Sequence, residues 1–152
     1  MYLFIQKYIF IITPFTAWVL AQWLKPLFEY LRTGSWDVHL VKGAGGMPSS
    51  HSSTMISLTT ILGFARGVQS DIFALSFVTS LIVMYDARGV RQAAGSHAVY
   101  LNYIKDELTT LFGRGFTVEG FKTNLGHTSL QVAAGALLGL IIGLIYGFTF
   151  FH

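Results

Sequence analysis

From Ser129 to Phe150 no residue carries a charge, and within that run glycine returns at every fourth position, at Gly135, Gly139, Gly143 and Gly147. About 20 apolar residues in a helix cross the hydrocarbon of a bilayer, so an uncharged run of this length is first of all a membrane span. With 3.6 residues per turn, a four-residue spacing keeps the glycines on one face, and a face without side chains lets a second helix come close. His127 and Gln131 continue the same register toward the polar end. The stripe therefore aims a histidine and its fourth-residue neighbour at whatever helix packs there. It also offers a face through which two copies of the chain could form a homodimer.

The remainder of the chain supports an apolar environment. Hydrophobic residues make up 53% of the 152 and charged ones 11%, too few polar side chains to cover a soluble sphere. Three more segments have span character: Tyr8 to Leu24, with Pro14 as a tolerated kink, Pro48 to Phe64, and Asp71 to Tyr85. Met1–Leu24 is apolar but no small-residue cleavage site follows it, so it is expected to stay as the first span. Lys25 to Arg32 is amphipathic and interfacial, and Gln92 to His127 is a long polar segment with a surface helix expected over Tyr100–Phe112. The expected fold class is all-α, a polytopic helical membrane bundle of about four spans plus interfacial helices, forming a single membrane-embedded domain over residues 1–152. There are no cysteines, hence no disulfide or thiolate chemistry. The net charge of +3 gives no reason to expect a nucleic-acid partner. The span cores offer no charged residues of the kind an ion pathway needs.

Four spans put Lys25–Lys42 and Asp86–His127 on one side of the membrane, with both termini and the Ala65–Ser70 turn on the other. Lys25, Arg32, Lys42, Arg88, Arg91, Lys105, Arg114 and Lys122 then oppose Lys7 and Arg66. By the positive-inside rule the first side is cytoplasmic. The residues with chemical potential share that side. Gly43-Ala-Gly-Gly-Met-Pro-Ser-Ser-His-Ser-Ser-Thr54 has glycines suited to positive φ and close approach, and Pro48 suits the first turn of a helix whose free N–H groups would face an anion. Ser49 and Ser50 add hydroxyls, and His51 adds a group that exchanges a proton near neutral pH. The alternative is a Gly/Ser cap on a membrane helix. Lys25 and Arg32, seven residues apart, would share a helical face and could converge on one anion, or could simply mark a membrane boundary by snorkelling. Arg88 and Arg91 would share a face too, as a fork for phosphate or a positive-side anchor, and Asp86 either pairs with them through a bend at Gly89 or serves a histidine on another helix.

Together these residues resemble the type 2 phosphatidic acid phosphatase superfamily, most closely its divergent branch of small bacterial and plant membrane proteins with a Gly-Gly-Met-Pro-Ser-Ser-His signature. Lys25 to Arg32 has the spacing of that superfamily's first motif, Lys-x6-Arg-Pro, with Thr33 in place of proline. Pro48-Ser-Ser-His51 matches Pro-Ser-Gly-His except at Ser50, and His127-x3-Gln131 with Gly135 and Gly139 matches the end of Ser-Arg-x5-His-x3-Asp. Phe121 stands where the third motif has arginine, so Arg91 or Arg88 would have to supply that cation. Gln131 stands where it has aspartate. The resemblance implies hydrolysis of a lipid phosphate with His127 as nucleophile, His51 as general acid, Gln131 and Asp86 as the groups that orient or balance the histidine, and Lys25, Arg32, Gly46, Ser49, Ser50, Arg88 and Arg91 around the phosphate. It implies neither a metal nor a cofactor. Phosphatidylglycerophosphate suits a cytoplasmic site, with a polyprenyl diphosphate or phosphatidic acid next. A phospholipid-binding or helix-packing subunit without turnover is the competing expectation.

Overall fold

A computed structural model describes residues 2–43, 45–112, 119–121, 123 and 126–151. Its elements are helical: α1 (Tyr2–Lys7), α2 (Ile9–Thr33), a short 3-10 turn (Val38–Lys42), α3 (Ser50–Arg66), α4 (Asp71–Arg88), α5 (Val90–Phe112) and α6 (Ser129–Phe151). The fold is an all-helical membrane bundle. Its polarity is inverted relative to a soluble protein: buried positions include Ser49, Ser52, Ser53, Ser57, Thr59, Ser76 and Ser80, while Phe15, Leu75, Ile82, Leu137, Ile141 and Ile145 are exposed. Outward apolar side chains suit lipid, and small polar ones inside let backbones approach and bond across helices. By length and hydropathy, two helical runs among the described residues qualify on their own to cross a membrane, the α4–α5 run (Asp71–Phe112) and α6. The other two segments expected to span, α2 and α3, are packed among them.

α3 is the axis, in contact with α2, α4 and α6. The glycine stripe of α6 lies along it in register. A Cβ at Gly135 would collide with the Ser49 carbonyl oxygen, at Gly139 with that of Ser53, at Gly143 with the Thr60 side chain and at Gly147 with the Phe64 ring. Numbers rise together along both helices, so α3 and α6 run parallel, with their N-termini at one end. This face is filled by α3 of the same chain, so a second copy could dock on it only by displacing α3. Hydroxyls tie the remaining seams: Ser53 Oγ donates to the Ala17 carbonyl at 3.2 Å, Ser80 Oγ to that of Met55 at 3.2 Å, and Thr59 Oγ1 lies 2.7 and 2.8 Å from the hydroxyls of Ser76 and Ser80.

Several boundaries differ from the sequence expectation: α2 runs on from the first span through Lys25–Arg32 to Thr33, α3 begins at Ser50 with Pro48 ahead of its Ser49 cap, and two more changes meet at Gly89. α4 runs on to Arg88, and α5 begins at Val90, ten residues before the expected surface helix. The cause is Gly89, which keeps right-handed helical geometry (φ −85°, ψ −73°): its N–H bonds the Tyr85 carbonyl and its carbonyl accepts from Ala93. Instead of turning the chain, glycine here allows a break of one residue. Beyond it, the Asn102 side chain clamps the backbone of Phe121, donating to its carbonyl at 2.9 Å and accepting from its N–H at 2.8 Å. Phe121, in the place of a motif arginine, is thus held against α5.

Candidate active site

The parallel pair brings two helix N-termini together, each the positive end of a helix dipole. Ser49 caps α3: its Oγ accepts from the Ser52 N–H at 3.4 Å and from the Ser52 hydroxyl at 3.1 Å. Thr128 caps α6 through a reciprocal box, since its Oγ1 accepts from the Gln131 N–H at 3.3 Å while Gln131 Oε1 accepts from the Thr128 N–H at 3.0 Å. The two ends are joined directly, Ser49 N–H donating to the Gln131 carbonyl at 2.9 Å. The end of α4 completes the frame, because the Ala87 carbonyl accepts the His127 N–H at 2.9 Å.

Within this frame His51, in the first turn of α3, faces His127, just ahead of α6, with ring centroids 6.0 Å apart. His127 is 2% exposed. Its Nδ1 lies 3.3 Å from Gln131 Oε1. The Thr128 N–H on that same atom identifies it as the amide oxygen, which can only accept, so Nδ1 carries the proton. Nε2 is left with its lone pair, and it is buried with no hydrogen-bond partner. Burial lowers the pKa of His127 below the usual 6.5, the Gln131 bond opposing this and the neighbouring Lys25 charge reinforcing it. The result is a neutral imidazole at pH 7 with an unoccupied basic nitrogen.

Lys25 is 1% exposed and donates from Nζ to the Gly43 carbonyl at 2.7 Å. Gly46 has φ +92° and folds over the Lys25 stem, where a Cβ would sit 3.5 Å from Cδ. Of the glycines between Gly43 and Gly46 only Gly46 needs positive φ; Gly43 is extended at φ −78°, ψ 150°. The Met47–Pro48 peptide is cis. Ser50 is buried and Asp86 half-buried on the last turn of α4, next to Ala87. Ser49 reaches the site as a cap, its hydroxyl already engaged.

Three cations expected at the phosphate are placed otherwise or not described. Arg32 does not join Lys25: its guanidinium bonds Glu29 at 2.7 Å, exposed to solvent. The shared face predicted from the spacing is real, but seven residues of rise carry Arg32 about 10 Å past the level where the bundle buries Lys25. It lines a groove of about 410 Å³ with Met47, Thr128 and Gln131, on the outer side of the cap. Arg88 is exposed, and the side chain of Arg91 lies outside the described residues. Among the described residues no three His, Asp or Glu side chains are grouped to hold a metal ion.

Sequence reasoning missed two features. One is the Thr128–Gln131 box, legible as Thr-x-x-Gln before an apolar run. The other is a cavity of about 480 Å³ lined by Trp18, Gln22, Lys42, Gly43, Ser50, His51, Thr54, Met55 and Val83. It opens on one side of His51, and no sequence signal joins Trp18 and Val83 to it.

Residues 6–142 match the family model described as the Divergent PAP2 family. The chain belongs to that family. It is also 30% identical over 149 residues to the uncharacterized membrane protein YuiD of Bacillus subtilis (strain 168), an alignment that covers 92% of this chain and 94% of that protein. No solved structure matches it. Membership of this family and the inverted bundle together establish a helical membrane protein of the Divergent PAP2 family.

Proposed function

We propose that this protein is an integral-membrane phosphatase of lipid phosphomonoesters, working through a phosphohistidine on His127 without a metal. The observation that carries the reading is the buried, unpartnered Nε2 of a neutral His127 facing His51 across 6.0 Å, at the common positive end of two helices. Nε2 attacks phosphorus, the bond from phosphorus to the alcohol oxygen breaks, and His51 gives that oxygen its proton. His51 then takes a proton from water as the water attacks phosphorus, the P–N bond breaks, and phosphate leaves. Lys25, the α3 and α6 N-termini and the Gly46 region stabilise the charge on the transferring group. Phosphatidylglycerophosphate is the favoured substrate, ahead of a polyprenyl diphosphate or phosphatidic acid, and the charge bias puts the site on the cytoplasmic side of a bacterial plasma membrane.

Release of phosphate from these lipids by purified protein tests the reading, with no release from any of them counting against it. Its pH profile carries a second expectation. Since the pKa of His127 is below its ordinary value, the neutral nucleophile persists as pH falls through 6.5, and the acidic limb of kcat/KM assigned to it should lie below 6.5. A limb at 7 or above contradicts the assignment.

A second reading is favoured by the capping box, which accounts for glutamine at 131 with no reference to chemistry: a protein that holds a phosphorylated headgroup without cleaving it. Gln131→Glu separates the two. Glutamate keeps the reach of the box, which the shorter aspartate loses, and sets a carboxylate against Nδ1. In a phosphatase, kcat should rise several-fold and the His127 limb should move to higher pH, because a carboxylate favours the imidazolium. In a binding protein neither wild type nor variant releases phosphate.

A further inference from the structure

Gln22 is a polar side chain in a membrane helix, 9% exposed, whose Oε1 is buried and makes no hydrogen bond. A carboxamide left in this state is costly, and such groups in a folded protein call for an explanation. Gln22 lines the 480 Å³ cavity beside His51. Its place along α2 is ordered. Trp18, one turn nearer the membrane interior, belongs to the apolar wall with Met55 and Val83, and Lys25, about one turn nearer the site end, lies against the glycine loop. Going toward the site, α2 thus presents an apolar ring, a neutral amide and a cation. A lipid phosphate ester has the same order: tail, polar linker, phosphate.

We infer that Gln22 is a specificity residue that accepts a hydrogen bond from a hydroxyl on the alcohol being released, so that the preferred substrates are lipid phosphates whose alcohol carries a second hydroxyl. The inference rests on the phosphatase reading and deepens it. The cavity adjoins His51, the group assigned to the departing oxygen, so the leaving alcohol and not the phosphate meets Gln22. The terminal torsion of glutamine is soft, and a small rotation turns Oε1 into the cavity when a donor enters. Phosphatidylglycerophosphate provides such a donor on its terminal glycerol. Phosphatidic acid offers ester carbonyls but no hydroxyl, and a polyprenyl phosphate offers neither.

The test is a cycle of two proteins and paired ligands. Wild-type protein and Gln22→Met, which keeps the length of the side chain, are purified in detergent, and equilibrium binding is measured for the non-hydrolysable methylenephosphonate analogue of phosphatidylglycerophosphate and for the same analogue lacking the glycerol hydroxyl. Wild type should bind the hydroxylated lipid about five- to ten-fold more tightly, the size of one neutral hydrogen bond, and in the variant that ratio should fall to about one. A Gln22→Leu protein should show the same collapse. Because the ratio is taken within each protein, general damage to the fold cancels. Equal ratios in wild type and variants overturn the inference, as does a variant loss that is as large for phosphatidic acid or polyprenyl phosphate. Phosphate release followed in parallel judges the phosphatase reading separately: binding discrimination without release leaves Gln22 as a headgroup-recognition residue and removes the catalytic assignment.

Discussion

His127→Ala should abolish phosphate release from every lipid phosphate, a fall of at least about 10³-fold, because it removes the nucleophile. His51→Ala should be distinguishable from it. A general acid contributes about 10²–10⁴-fold when the leaving group is an alkoxide and little when the leaving group is already a stable anion. With an alkyl phosphate, His51→Ala should therefore be nearly inactive. With an aryl phosphate of low leaving-group pKa it should release up to one equivalent of phenol and then stall, since His51 also activates the water for the second step. The stalled protein should carry acid-labile phosphate on His127. Identical behaviour of the two variants toward the aryl ester would sink the division of roles between the histidines.

The second large effect is structural. Alanine at Gly135 or Gly139 would gain about 1 kcal/mol of helix propensity in isolation, yet each new methyl meets a backbone carbonyl oxygen, that of the α3 cap Ser49 or of Ser53 in its first turn. A backbone atom inside a packed helix cannot rotate aside, so α6 must move off α3, and overpacking of this kind typically costs about 1–3 kcal/mol. At Gly143 the obstacle is the Thr60 Cβ, fixed to its own backbone, with the Ser57 carbonyl oxygen beside it, and only at Gly147 is it a ring, that of Phe64, which can turn about its side-chain torsions. Thermal unfolding in detergent should rank Gly135→Ala, Gly139→Ala and Gly143→Ala well below Gly147→Ala. Activity should fall furthest in Gly135→Ala, because Gly135 packs one turn from Gln131, whose carbonyl and side chain hold Ser49 and His127. A Gly139→Ala protein as stable as wild type would show that the two helices do not pack as described.

These two experiments probe the same device. The stripe sets the spacing of α3 and α6, and that spacing sets the distance between two histidines more than seventy residues apart in sequence. Hydrogen bonds within the frame then fix orientation: Ala87 to His127, Ser49 to Gln131, and Thr128 to Gln131. The polar site is consequently carried by helix ends and not by a mobile loop.

Much of this was legible from residue order. An uncharged run with glycine at every fourth position determines a membrane helix with a close-packed face, because period and length alone decide both. The partner of that face was not identified from residue order; the structure shows it to be the Ser49 and Ser53 side of α3. Pro48-Ser-Ser-His51 and His127-x3-Gln131 gave the residue types of the site, and alternation of spans put them at one end. What order could not decide is depth and competition. Lys25 and Arg32 share a face, but only the length of the bundle buries one and leaves the other to Glu29. Ser49 could donate to an anion or cap a helix, and the cap wins because Ser52 lies within reach of its Oγ. Gln131 looked like a weakened aspartate; the Thr128 box shows a second role that favours glutamine. The Gln22 cavity belongs wholly to tertiary structure, since it is bounded by α2, α3, α4 and the glycine loop, and a space between helices is a property of their packing and of no single segment.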